Sequence, residues 1–279
     1  MSYPVLDPAR RVAERAGLCA LAVMAKAPRP GTVKTRLSPL LTPYQATELN
    51  ICFLRDTAEN IAAIAADPAA RVASLVSYTP VGDEALFDGV LPEGFALIVQ
   101  RGNTFGERLL AAAQDILACG FGSVCLIDSD SPTVPRAAYQ AAVAHLARPG
   151  DRVVLGPSAD GGYYLIGMKH PHPVLFDRIH WSTGTVAAET RERAAQAGLE
   201  LVELPLWYDV DDAATLEIVN AELLAGMAPG FATMPGYPAP HTREFLLTLD
   251  ASLAAPLVTK PADAPASNAP AASTQVRTP

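Results

Sequence analysis

The sequence predicts an α/β protein with a mostly parallel, mixed sheet and helices on both faces. Three observations carry that prediction. Short apolar runs alternate with longer stretches of helical spacing through the first half of the chain. Residues 18–25 (LCALAVMA) and 124–127 (VCLI) are continuously apolar, as strands buried on both faces must be. The second run passes straight into Asp128-Ser129-Asp130 and is stopped by Pro132, the pattern of a strand leaving a sheet at its carboxyl end. Ligands bind at that end of open α/β sheets.

Taken in order, residues 1–17 form a polar, proline-bearing lead-in, and residues 18–25 the first central strand. The loop KAPRPGTVKTRL follows, with Lys26, Arg29, Lys34 and Arg36. Thr42-Pro43 opens a long helix to about residue 65, Thr as N-cap and Pro at the first helical position, with Ala46, Leu49, Phe53, Ala58 and Ile61 on one stripe. Strands are predicted at 71–78 and 95–100. A helix then runs from about 104 to 119 and ends before Gly120. After the strand at 124–127 comes an Ala-rich helix over 134–147. Residues 151–156 and 163–168 read as strands separated by PSADGG; a helix over 183–197, a strand over 199–205 and a helix over 211–224 complete the core. The second half is less regular, which predicts an antiparallel piece inserted in the sheet.

Domain organisation follows composition. Residues 1–225 form one α/β domain, residues 226–254 an extension with one short docking helix, and residues 255–279 an Ala/Pro-rich tail expected to be disordered. The chain is 50% hydrophobic with a formal net charge of -8. Without a basic tract, nucleic acid is not expected as a partner, although a local basic cluster can still serve a small anionic substrate. No apolar run reaches the length of a membrane span, and the N-terminus lacks the apolar segment of a signal peptide, so a cytoplasmic protein is expected. Cys19, Cys52, Cys119 and Cys125 show no C-x-x-C spacing and are expected to be free, buried thiols.

Five stretches could carry chemistry. Basic residues on the loop after the first strand are placed to meet phosphate, but Gly31-Thr-Val-Lys34-Thr35 lacks the spacing of a P-loop. Asp128 and Asp130 could hold a hard divalent cation, or Asp130 or Thr133 could simply cap the next helix. In Ser158-Ala-Asp160-Gly161-Gly162, Asp160 could orient a hydroxyl or act as a base, or the stretch could be a tight turn. Trp181 reads as a wall residue, with Ser182 or Thr183 as N-cap. In Tyr208-Asp209-Val210-Asp211-Asp212, Asp211 or Asp212 is a natural N-cap, and Asp209 a candidate second carboxylate for a metal.

The order AKAPRPGTVKTRL, DSDSPTVP, GPSADGGYYLIG, HWSTGT, YDVDD, spanning residues 18 to 224, resembles the bacterial GT-A-fold glycosyltransferase-like family of the radical-SAM/selenodomain-associated type. It is more distantly similar to molybdenum-cofactor and phospholactate guanylyltransferases. The resemblance implies a GT-A, nucleotide-diphospho-sugar transferase-like, three-layer αβα sandwich. It implies that Lys26, Gly31, Lys34 and Arg36 clamp the nucleotide phosphates and that Gly161, Gly162, Trp181 and Thr183 also bind substrate. Asp160, with Lys34 and Arg36, is the implied catalytic group; Asp130, with Asp128, Asp211 and Asp209, is the implied holder of Mg2+ or Mn2+. The family usually has Gly where this chain has Asp128, and its late acidic motif is thinned here to Asp212-Ala-Ala-Thr215.

The implied activity is a metal-dependent transfer from a nucleotide-activated donor to a small acceptor. Glycosyl transfer from a nucleotide-diphosphate sugar comes first, nucleotidyl transfer from a nucleoside triphosphate with release of pyrophosphate second, and a non-catalytic nucleotide-binding protein third. Oligomeric state is not legible in the sequence.

Overall fold

Seven strands make one sheet in the order β3-β2-β1-β4-β6-β5-β7 in this computed structural model, which describes residues 3–37 and 40–254. The strands are β1 (Cys19–Lys26), β2 (Val72–Thr79), β3 (Ala96–Val99), β4 (Ser123–Ile127), β5 (Arg152–Pro157), β6 (Tyr163–Met168) and β7 (Glu200–Glu203). All neighbours are parallel except β6, which runs antiparallel to both β4 and β5. This is the expected antiparallel insertion.

The helices are α1 (Pro43–Ala65), α2 (Phe105–Ala118), α3 (Arg136–Ala147), α4 (Val186–Gln196), α5 (Ala213–Ala225) and α6 (Pro240–Ala254). Local chemistry sets their starts. Thr42 with Gln45, Thr104 with Glu107, and Asp212 with Thr215 form reciprocal capping boxes. Gly226 closes α5 in the left-handed region, φ +66°.

Burial on both faces explains the unbroken apolar strands. In β1, Cys19, Leu21 and Val23 pack into one core cluster with Leu49 and Phe53 of α1 and Ala138 of α3. Ala20 and Ala22 pack into the other with Leu109 and Ile116 of α2 and Ala187 of α4. Residues after α5 fold back: both oxygens of the buried Asp56 accept from the first amides of α6 at His241 (3.0 Å) and Thr242 (2.8 Å). Cys19, Cys119 and Cys125 are buried free thiols, whereas Cys52 is half-buried. No helix among the described residues is long and apolar enough to cross a membrane. The tail predicted at 255–279 lies outside the described residues.

The topology fixes where a ligand can bind. The chain leaves β1 to form β2 on one side, then returns to place β4 on the other, so the sheet changes winding direction between β1 and β4. Val23 pairs with Ile127 in register, so the loop after Lys26 and the acids after Ile127 emerge side by side at the carboxyl edge.

Candidate active site

Three loops meet at that edge, and backbone hydrogen bonds lock them together. The Val210 amide donates to the Asp130 carbonyl (2.9 Å), which sets Asp211 beside Asp130. The Ala159 amide donates to Trp207 (2.8 Å) and the Trp207 amide to Pro157 (3.0 Å), which sets Asp160 near Asp209. The Ala187 amide donates to Gly161 (2.9 Å), joining the β5–β6 loop to the start of α4.

Gly161 is required by that last junction. Its φ is +90°, and an added Cβ would run into the Gly184 carbonyl. Gly161→Ala is expected to destabilise by about 2–3 kcal/mol. Chemical denaturation measures this; a loss under about 0.5 kcal/mol would show that the two loops separate freely.

Lys34 is the centre of the first bay. Its side chain is 3% exposed, and Nζ reaches Asp130 Oδ1 (2.7 Å), Asp211 Oδ1 (2.9 Å) and the Val210 carbonyl (2.7 Å). Its three donors are thereby matched. Burial alone would lower its pKa, but the charges of Asp130 and Asp211 and the hydrogen bonds to them carry it above the ordinary lysine value. The backbone holds Lys34 at φ +50°, a conformation that non-glycine residues rarely adopt.

Around this ammonium lies a bay of about 360 Å³ lined by Lys26, Thr32, Thr35, Arg36, Asn50, Gln100 and Arg108 among others. Arg36 is 72% exposed and lies 3.8 Å from Asp211. Gly31, at φ +77°, shapes the loop but does not line the bay. Arg29 does not join it either; it pairs with Asp83.

A second bay of about 260 Å³ adjoins the first, sharing Met24, Phe105, Asp130 and Asp211. Asp128, Asp160 and Asp209 line it, together with Ser158, Gly162, Tyr163, Trp181 and Thr183. Asp128 Oδ2 accepts from Ser131 (2.6 Å), but Oδ1 is buried with no partner. Burial, then the charges of Asp130 and Asp209, push its pKa well up. Asp160 is exposed and accepts from the Gly162 amide (2.8 Å), so the turn reading of this stretch is correct while the residue still faces the bay.

Asp209 accepts from Ser158 Oγ (2.8 Å), and burial together with the Asp160 charge pushes its carboxyl up to about 6. Since this value lies above the unfolded one near 3.8, protonation favours the folded state as pH falls from about 6 towards 4, and ionisation costs stability above 6. Asp209→Asn is expected to gain about 1–2 kcal/mol at pH 7–8 and nothing below pH ~4, allowing for partial exposure. Melting temperature against pH tests this; a gain independent of pH would contradict it.

Two cap readings are corrected. Neither Asp130 nor Thr133 caps α3, whose N-cap is Pro135. Thr133 is buried and accepts instead from Trp207 Nε1 (3.0 Å), leaving the Asp130 carboxylate to the bay. Neither Ser182 nor Thr183 caps α4, which begins at Val186 after Thr185. Glu189 takes the His180 amide (2.8 Å) and the Thr185 hydroxyl (2.8 Å), holding this segment as a loop against Gly161. The Asp212 cap is as expected.

Several bay residues carried no sequence signal. Arg108 stacks over Phe105 (5.9 Å to the ring centroid), but the capping box that marks the start of α2 does not say which face meets a ligand. Phe105, which helical spacing with Leu109 and Ile116 reads as a core residue, is instead exposed and lines both bays. Among the described residues, the His/Asp/Glu trio with ligand atoms within 4.8 Å of one another is Asp56, Glu59 and His241, where α6 docks on α1. It lines neither bay, and Asp56 is already committed to the α6 amides.

Strand order and the antiparallel β6 define the class: a GT-A, nucleotide-diphospho-sugar transferase-like fold. The chain is similar to a protein of Desulfovibrio desulfuricans G20 provisionally named a nucleotide-diphospho-sugar transferase, with 29% identity over 84% of this chain and 95% of that one, TM-score 0.70. A family profile described as an uncharacterized protein conserved in bacteria (DUF2064) matches residues 61–183. Weaker likenesses include a CMP-2-keto-3-deoxy-manno-octonic acid synthetase complexed with CTP (15% identity, 75% of this chain and 100% of that one, TM-score 0.48). Another is glucosyl-3-phosphoglycerate synthase of Mycobacterium tuberculosis with Mn2+ and UDP (12% identity, 78% and 83%, TM-score 0.43). At that level of superposition these two say nothing of this chain's chemistry. No protein of curated function matches.

Proposed function

We propose that the chain is a nucleotide-dependent transferase that moves a sugar from a nucleotide-diphosphate sugar to a small acceptor. The observation that supports this reading is the pair of adjoining bays, one basic and one acidic, divided by Asp130 and Asp211 at the carboxyl edge of β1 and β4. Lys26, Arg36 and Arg108 give the first bay the positive side chains a diphosphate needs, with Lys34 behind them.

The residues present fit a divalent cation. The donors are hard carboxylate oxygens, Asp128 Oδ1 is buried without a partner, and Asp130 and Asp211 already flank a positive charge. Asp130 with Asp211, and Asp128 behind them, would hold it. A bound Mg2+ or Mn2+ supplies neutralisation of the charge that develops on the departing diphosphate. Asp160 orients the acceptor hydroxyl and takes its proton as the acceptor oxygen bonds to the anomeric carbon and the bond to the diphosphate breaks.

A second reading uses the same bays for nucleotidyl transfer, with an acceptor phosphate attacking the α-phosphate and pyrophosphate leaving. Lys26, Arg36 and Arg108 in the first bay keep it open, because they suit a triphosphate as well as a diphosphate. Thermal denaturation with UDP, GDP, dTDP and their triphosphates, with and without Mn2+, tests the requirement both readings share. At least one nucleotide is expected to raise the melting temperature by several degrees in the presence of Mn2+; no shift with any of them would remove both.

A further inference from the structure

We infer that the second bay takes an uncharged, polyhydroxylated group, a sugar or polyol ring, and rejects phosphorylated or carboxylated ones. The inference rests on the transferase reading and narrows its substrate class.

Charge is the first observation. Five aspartates line this bay and, among the described residues, no Lys, Arg or His does. Lys34 compensates Asp130 and Asp211 from the other side, and a cation would add to that compensation, but Asp160 and Asp209 lie away from it beside Ser158. A second anion placed there meets like charges with nothing to pair it. A hydroxyl group is the complementary partner, since ionised carboxylates only accept hydrogen bonds.

The second observation is independent of charge. Apart from Asp128 Oδ1, which a cation would take, one lining residue carries a buried polar atom with no partner, the Tyr163 hydroxyl. Buried polar groups are normally satisfied, so this orphan on a small bay marks where a ligand hydroxyl completes the bonding.

The third is shape. Trp181 stands edge-on to both Phe105 (centroids 5.2 Å) and Tyr163 (6.4 Å), giving the bay an aromatic wall. It is seated there by Gly106, where a Cβ would come 2.6 Å from Trp181 Nε1. An aromatic wall in a bay that carboxylates also line suits a ring with an apolar face and a hydroxylated rim. A volume near 260 Å³ fits one monosaccharide-sized group and not a second nucleotide.

The group could belong to the donor or to a free acceptor, and one titration separates them. The chain has two tryptophans, and Trp207 is 1% exposed, so ligand-dependent fluorescence reports on Trp181; the Trp181→Phe variant serves as the blank. The full-length protein with Mn2+ is titrated with UDP, UDP-glucose and UDP-glucuronate, and with GDP and GDP-mannose. In the presence of the better-bound diphosphate it is then titrated with glucose, glycerol, glucose 6-phosphate and glucuronate. A neutral member is expected to change Trp181 fluorescence and to bind at least tenfold more tightly than its anionic counterpart. An added response to UDP-glucose or GDP-mannose over the bare diphosphate assigns the bay to the donor sugar; a response to free glucose or glycerol assigns it to the acceptor. Asp160→Asn combined with Asp209→Asn is expected to cut the discrimination at least fivefold. Equal or tighter binding of the anionic members, or no response to any neutral one while the diphosphate binds, overturns the inference and leaves the transferase reading standing. Failure of every nucleotide to bind removes that reading instead.

Discussion

Asp130→Ala is expected to lower transferase activity by at least about 1,000-fold and to abolish any Mn2+-dependent gain in melting temperature on nucleotide binding. The reasoning begins with position. Asp130 leaves the carboxyl end of β4, its carbonyl is tied to Val210, and its side chain, one-third exposed, stands on the boundary of both bays. Helix capping makes no claim on it, since α3 starts at Arg136 without a side-chain cap. A carboxylate so placed, with Asp211 across from it, is where positive charge is wanted, and in this structure Lys34 supplies it. Folding should survive the change, because Lys34 keeps Asp211 and the Val210 carbonyl. Isothermal titration of nucleotide with and without Mn2+ is the check. Metal-dependent binding that persists in the variant would sink the role given to Asp130.

Lys34→Met should act on stability as well as on activity. Removing a buried ammonium with three acceptors leaves two carboxylates facing each other and a carbonyl without its donor. Fully buried pairs broken in this way cost about 3–5 kcal/mol. Here Asp130 and Asp211 are about one-third exposed, so a loss of about 2–3 kcal/mol is expected, or roughly 5–10 °C in melting temperature for a domain of this size. The left-handed backbone at this position adds nothing to the difference, since methionine inherits the same strain. Mn2+ without nucleotide should restore part of the loss by taking the place of the ammonium between the carboxylates. A variant that melts within a degree of the parent would show that the ion pairs contribute little.

These two residues also show what the sequence could and could not disclose. Asp130 was visible because a buried strand ending in acids and a proline has a fixed meaning at a sheet edge. Lys34 was visible as part of a basic loop, and so was expected to face phosphate. Its actual partners are distant in sequence: Asp130 follows β4, and Val210 and Asp211, the latter 177 residues away, are brought in only where the chain leaves β7. Strands and helices were legible to within a few residues because their apolar periodicity and caps are local. The antiparallel β6 was inferred only as an irregularity, since its pairing depends on long-range register.

Cap assignments failed where tertiary contacts outbid local chemistry. Thr133 turns inward to Trp207 and Tyr208, and Glu189 reaches back to His180 and delays the start of α4. The division of the site into a basic and an acidic bay was not legible at all. It arises because Asp130 and Asp211, held together through the Val210 amide, stand between the two groups of charges, and because α2 adds Arg108 and Phe105, whose neighbours in sequence give no hint of a ligand.

Phosphorus NMR of the products tests the central claim most directly. The protein is incubated with Mn2+, a panel of nucleotide-diphosphate sugars and nucleoside triphosphates, and neutral saccharide acceptors. Release of a nucleoside diphosphate with the sugar recovered on the acceptor is the predicted result; pyrophosphate as the product would contradict it.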